Sequence, residues 1–288
     1  MSTMKKHREG SLPNLIIIGA VKCGTTSMHY YLGLHPQISM SREKEPNFFI
    51  RELNWDKGIE WYKSNFTGKA RIHGESSARY TNYPFSRGVP ERMYSVVPEA
   101  KLIYILRDPI ERIISDYIQK YSDGLENRRI EDVLKDLNMT NRYLSRSMYY
   151  LQLSQYLEYF PNSSILIITS EEMYHQRRLT LEKIFRFLNI DETFYSEQFL
   201  KIKHRSTEKR RKDRIGLFLK WLSETDIAKT FSADLRRNIG RILYLPFSTR
   251  IERPVLNNEL KEKLVEYLKD DTNRLREYTG LDFKDWCV

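Results

Sequence analysis

Apolar residues along this chain fall into short continuous runs separated by stretches with helical spacing. Leu15-Ile16-Ile17-Ile18 before Gly19, Lys101 to Leu106, and Ile165-Leu166-Ile167-Ile168 after the turn Pro161-Asn162-Ser163-Ser164 read as strands buried on both faces. A further strand is expected to end at Glu75, with an extended segment on to Tyr83. Helical spacing predicts helices from just after Gly24 to about Leu34, Asp56 to Asn65, Pro90 to Val97, Pro109 to about Tyr121, Ile130 to Leu137, Met148 to Phe160 and Leu179 to Leu188. Leu151, Leu153, Tyr156 and Leu157 are expected in the core. Such alternation implies an α/β fold, a single domain with a central parallel β-sheet flanked by helices. Ile215, Leu217, Phe218, Leu219, Trp221 and Leu222 suggest one more helix on that sheet, and no internal repeat or long linker interrupts the pattern.

Two of the strand ends carry polar corners suited to anions. The first strand runs into Gly19-Ala20-Val21-Lys22-Cys23-Gly24-Thr25-Thr26-Ser27, a glycine turn that opens a helix. Backbone amides and the positive end of the helix dipole point into such a loop, while Lys22 adds a full charge and Thr25, Thr26 and Ser27 add hydroxyls. The spacing from Gly19 to Gly24 matches the nucleoside-triphosphate loop G-x-x-x-x-G-K-[ST], but Thr25 stands where that motif has lysine, and the lysine has moved inside the loop to Lys22. The later strand that would offer an acidic magnesium partner ends instead in Arg107. A phosphate held without a metal is therefore expected. At the second corner, Asp108 reads as a helix N-cap and Pro109 as the first helical residue. Ser115 then lies about two turns in, and Arg107 reaches toward the same space at the carboxyl edge of the sheet.

This pair of motifs resembles the sulfotransferase family that uses 3′-phosphoadenosine 5′-phosphosulfate (PAPS), most nearly its heparan-sulfate-type and related bacterial carbohydrate-sulfating members. Gly19 to Ser27 is similar to the family's loop for the 5′-phosphosulfate, and Leu106 to Tyr117 to its 3′-phosphate motif, in which the positions of Arg107 and Ser115 hold that phosphate. His35-Pro36, Lys44-Glu45-Pro46-Asn47-Phe48-Phe49 and the stretch Leu275 to Trp286, similar to the family's final helix and tail, extend the likeness over nearly the whole chain. The resemblance implies a P-loop-like architecture shared with nucleoside-phosphate kinases, PAPS as donor, 3′-phosphoadenosine 5′-phosphate (PAP) as product, and no required metal. It also implies Lys22, Cys23, Gly24, Thr25, Thr26, Ser27, Arg107 and Ser115 as donor-binding residues, with Lys209, Arg210 and Arg211 as a late basic loop over the 3′-phosphate.

In-line sulfuryl transfer needs a cation at the leaving oxygen and a base at the acceptor. Lys22 suits the first task. The resemblance assigns the second to Glu45, three residues before Phe48-Phe49; Pro46 stiffens its backbone, and the two phenylalanines are expected to exclude water and raise the carboxyl's pKa. Glu75 and His73 are the other candidates, with Glu75 placed to orient Lys22 or the acceptor. Heparan-sulfate-type enzymes carry a lysine after that glutamate, whereas this chain has Ser76; Arg79 is a partial replacement.

A chain of 288 residues can bury one substantial core; residues 1–12 read as a flexible tail and 13–288 as the sulfotransferase domain. Its formal charge of +10 fits an anionic donor and acceptor as well as it fits nucleic acid. Lys201 to Lys212 is dense enough to bind phosphates nonspecifically, yet no zinc-ligand spacing, RNA-binding signature or recognition helix accompanies it. A P-loop kinase or hydrolase using ATP is the other alternative. The acceptor is expected to be a glycan or hydroxylated natural product. No apolar run is long enough for a bilayer span and no secretory core opens the chain, so a cytoplasmic protein is expected, although a piece trimmed from a membrane-anchored lumenal protein reads the same. With Cys23 and Cys287 alone, no structural disulfide is expected.

Overall fold

The computed structural model describes residues 10–201, 210–213, 215–216 and 246–288. Five parallel strands form the central sheet: β1 (Leu15–Gly19), β2 (Ile38–Met40), β3 (Ile72–Ser76), β4 (Lys101–Leu106) and β5 (Ile165–Thr169), in the order β2-β3-β1-β4-β5. Every residue of β1 is buried because it is the central strand and helices cover both faces of the sheet. The chain first builds the β2–β3 side and then crosses β1 to reach β4. That reversal of winding between two adjacent strands opens a crevice outside their carboxyl ends.

Helices α1 (Thr25–Leu32), α2 (Gly58–Lys63), α3 (Val89–Val96) and α4 (Pro109–Ser122) follow the first four strands, with α2 preceding β3 and α3 preceding β4. Short turns α5 (Ile130–Val133) and α6 (Arg142–Ser145) lead to α7 (Tyr149–Leu157); α8 (Ser170–His175) and α9 (Arg177–Phe187) follow β5. A small antiparallel pair, β6 (Arg210–Lys212) and β7 (Ser248–Arg250), precedes the long helix α10 (Asn258–Thr279). The main core joins the sheet to α1, α7 and α9, and a second apolar cluster packs Ile113, Ile114 and Ile118 of α4 against Leu264 and Leu268 of α10. Among the described residues no helix is long and apolar enough to cross a membrane.

Several expectations shift for identifiable reasons. β5 lies at the sheet edge, so Ile165, Leu166 and Ile167 are only half-buried instead of sealed on both faces. The helix expected from Asp56 breaks into a tight turn over Trp55–Lys57 and then α2, since Gly58 takes a left-handed φ of 77°. Leu151 and Leu157 are half-buried, and Gln152 takes an interior place by bonding the Tyr83 and Ser145 carbonyls. Of the expected tail, Ser11 bonds the Phe66 carbonyl and Leu12 packs on the core. Lys209, residues 1–9 and most of the helix expected after Ile215 lie outside the described residues.

Candidate active site

The β1 corner is built by backbone conformation. Gly24 caps α1 with φ 95°, and nothing lies within 4 Å of where a Cβ would stand, so conformation and not crowding selects glycine there. Lys22 also adopts a left-handed φ of 72°, a strained state for a residue with a side chain, and one that concentrates at functional loops. Its ammonium reaches across to Gln119 Oε1 on α4 at 3.2 Å. Thr25, Thr26 and Ser27 form the first turn of α1, whose opening amides have no carbonyl within the helix to bond. The Cys23 side chain turns inward and is almost fully buried; burial pushes its thiol up to about 11 despite nearby arginines, so this residue offers the cleft backbone and not a thiolate.

At the β4 corner, Asp108 caps α4 by accepting the Glu111 amide at 2.8 Å, with Pro109 as the first helical residue. The Arg107 side chain pairs not with Asp108 but with Glu111, at 2.9 Å, and Glu111 also accepts Arg253 at 2.5 Å. Ser115 and Gln119 follow on one face of α4, as their four-residue spacing requires.

Both corners open onto one cleft of about 970 Å³. Among the described residues six cationic side chains line it, Lys22, Arg79, Arg107, Lys120, Arg142 and Arg146, against two carboxylates, Glu45 and Glu171. Beneath them, Asp116 is shared between buried Arg112 at 3.3 Å and Arg146 at 3.5 Å; burial alone would raise its carboxyl, but the two guanidiniums outweigh burial and hold it below the usual range. Burial, with Arg112, Arg79 and Arg142 adding to it against the pull of Asp116, lowers Arg146 to about 10. The excess of cations over carboxylates in the lining gives the cleft a positive field that suits an anion.

The base candidates separate. Glu45 lines the cleft on a left-handed backbone (φ 62°), its side chain 34% exposed and bonded to Lys44 at 2.6 Å. Phe48 and Phe49 do not cover it: both turn into the core, where Phe48 stacks on Tyr62 at 4.2 Å. Glu75 is fully buried and outside the cleft lining, and it does not orient Lys22. Its carboxylate accepts hydroxyls from Tyr62 at 2.6 Å, Tyr80 at 2.9 Å and Ser77 at 3.0 Å; burial pushes it up to about 7 against those three bonds. Two of these hydroxyls in turn accept amides of the Glu45 loop, Ser77 from Asn47 and Tyr80 from Phe49. His73 lies at the amino half of β3, its amide bonded to Asn14 beside the start of β1, roughly 10 Å of strand away from the carboxyl edge.

The late basic residues also fall elsewhere. Arg210 is committed to the Ser248 hydroxyl and carbonyl at 2.9 and 2.6 Å, and Arg211 lies over the Tyr121 ring at 4.0 Å while bonding Asn127; neither lines the cleft. Residues absent from the sequence reading include Gln119, Lys120, Arg142, Arg146 and His29. Burial, helped by Lys44, lowers His29 to about 4, and its Nδ1 lies 2.9 Å from Ser76 Oγ, next to the Glu45 loop. Gln119 was readable from its place one turn after Ser115; the arginines, which come from other segments, were not.

A family model described as Sulfotransferase domain matches residues 12–269. The chain belongs to the sulfotransferase family. Among its relatives, this sulfotransferase is 31% identical over 195 residues to the bifunctional heparan sulfate N-deacetylase/N-sulfotransferase 1 of Caenorhabditis elegans, covering 63% of this chain and 22% of that one. It is 32% identical over 190 residues to heparan sulfate glucosamine 3-O-sulfotransferase 5 of Mus musculus, covering 62% and 54%. The chain thus spans about half or less of the length of these curated relatives. A crystal structure of a sulfotransferase from Alicyclobacillus acidocaldarius shares the fold, with a TM-score of 0.69 at 21% identity over 96% of this chain and all of that one.

Proposed function

We propose that this sulfotransferase moves the sulfuryl group of PAPS onto a hydroxyl or amine of a carbohydrate acceptor. The observation that carries the reading is that Lys22 and Arg107, from two different strand ends, line one cleft with a marked excess of cations. When bound, the donor supplies a sulfuryl group on a phosphate leaving group. Lys22, Thr25, Thr26, Ser27 and the opening amides of α1 would hold its 5′ end, and Arg107 with Ser115 its 3′-phosphate. The Arg107–Glu111 pair is partly exposed and so contributes no more than about 1 kcal/mol, which lets a doubly charged phosphate displace Glu111. Lys22 can likewise exchange its neutral Gln119 partner for negative charge developing at the leaving oxygen. Arg79 provides the second cation where Ser76 has none. Glu45 faces the cleft and takes the acceptor proton once Lys44 is displaced.

An anionic sugar chain is the acceptor class that suits Lys120, Arg142 and Arg146, and the names of both relatives include heparan sulfate. Calorimetric titration with PAP tests the donor: tight binding that is independent of magnesium and that ATP does not match is expected. Binding of ATP with magnesium in preference to PAP would point to a kinase or hydrolase instead. Mass-spectrometric screening of glycan acceptors with PAPS then tests the acceptor.

A further inference from the structure

Past the last paired residues of β1 and β4 the Ala20 amide bonds the Ile105 carbonyl at 2.7 Å, and the two anion corners follow directly after it in sequence. One side chain touches both. Tyr149, the first residue of α7, donates its hydroxyl to the Arg107 carbonyl at 2.8 Å, and the same oxygen lies 3.6 Å from Cys23 Sγ. Since the phenol has one proton and it goes to the carbonyl, the thiol is the donor in the second contact, shared with the Val21 carbonyl at 3.8 Å. Cys23 keeps that proton because burial holds the thiol well above its ordinary range. The Tyr149 ring is walled by Tyr104 at 6.0 Å and Trp286 at 5.7 Å.

Helix α7 is itself held from outside. Met148 at its N-cap supplies no side-chain bond. Buried Asp271 of α10 takes that role, accepting the Tyr150 amide at 2.9 Å on one oxygen and the Leu151 amide at 2.8 Å on the other. Capping of this kind usually comes from the residue just before the helix; here it comes from a helix far along the chain, so the start of α7 is fixed relative to α10 as well as to the sheet.

We propose that Tyr149 is a positioning residue whose hydroxyl sets the separation of the two anion corners, and that Asp271 holds it in place by capping α7. The inference rests on the donor reading above. A ligand with a phosphate at each end gains from two anchors only when their spacing matches its own, whereas a ligand with one phosphate is indifferent to that spacing.

The test is calorimetric titration of the full chain with PAP and, separately, with adenosine 5′-monophosphate, which lacks the 3′-phosphate. Tyr149→Phe, which keeps the ring and removes the hydroxyl, is expected to weaken PAP about tenfold while changing the monophosphate by less than about twofold. Asp271→Asn, which keeps one accepting oxygen, is expected to act in the same direction by about threefold. Equal weakening of both nucleotides, or undiminished PAP binding, would overturn the proposal by reducing Tyr149 to a packing residue. If Tyr149→Phe fails to fold, Asp271→Asn decides the matter by the same ratio. A wild-type protein that binds the two nucleotides equally would instead sink the donor reading, and this inference with it.

Discussion

Glu45 and Glu75 are joined almost directly, since the Glu45 amide bonds the carbonyl of Ser76, yet the fold treats them in opposite ways. Glu45 sits on a strained, left-handed backbone, meets one flexible lysine and faces the cleft. Glu75 is sealed among three hydroxyls, and burial is what raises its pKa. A perturbed carboxyl is a common mark of a catalytic acid or base. Here that mark falls on the carboxyl that does not line the cleft. Access to the cleft distinguishes the two better than titration does, and the buried carboxylate serves the exposed one by holding the hydroxyls that anchor its loop.

The sharpest way to break this contrast is to neutralise each carboxylate in turn. Glu45→Gln is expected to lower sulfuryl transfer by about a thousandfold, the scale of a lost general base. PAP affinity and melting temperature should stay near those of the wild type, because Glu45 is partly exposed and donates nothing to the core. Single-turnover transfer assays beside calorimetry would check both halves. Transfer retained in this variant would move the base to another group and dissolve the comparison.

Glu75→Gln should act on stability instead, with a sign set by linkage. Burial pushes the folded carboxyl up to about 7 from the 4.5 of an exposed glutamate, so between those pH values the native state binds the proton that the unfolded chain has released. The stability contributed by Glu75 is therefore fully present below pH 4.5 and lost as pH rises through 7. Wild type should gain on Glu75→Gln by on the order of 3 kcal/mol as pH falls across that window. Comparing the two proteins by denaturant unfolding cancels the opposite slope from His29, whose depressed pKa adds stability as pH rises from about 4 to 6.5. A pH-independent difference between the two proteins would show that Glu75 does not titrate as its burial requires.

Much of this was legible from particular residues. Continuous Leu and Ile runs located β1 and β4, and Asp108-Pro109 marked the start of α4, because burial on both faces and helix capping are local demands. The three residues of β2 carried no comparable signal, being short and mostly half-buried at a sheet edge. The opening of α10 was missed although it was legible: Asn257 caps it by accepting the Leu260 amide, and Leu260, Leu264 and Leu268 recur every four residues among its charges. Of the residues lining the cleft, Lys22, Glu45, Arg79, Arg107 and Ser115 were named from the sequence, whereas Gln119, Lys120, Arg142 and Arg146 were not. Arg142 and Arg146 enter the cleft only through the packing of α6 and α7 behind α4, which no spacing along the chain records.

The cations repeat the contrast on a smaller scale. Arg107 has one partly exposed partner and faces the cleft, whereas Arg211 is spent on the Tyr121 ring and Asn127 beside a separate hollow. If facing the cleft is what confers a role, Arg211→Ala should leave PAP affinity within about twofold and cost about 0.5–1 kcal/mol of stability, the scale of an exposed cation–π contact. A late basic residue that closes over the 3′-phosphate would behave otherwise: removing it should weaken PAP by tenfold or more while sparing adenosine 5′-monophosphate, as loss of a charge-assisted phosphate bond requires. The two nucleotides therefore separate the outcomes in one experiment, and a selective loss of PAP binding would mean that the β6–β7 pair moves toward the cleft when the donor enters.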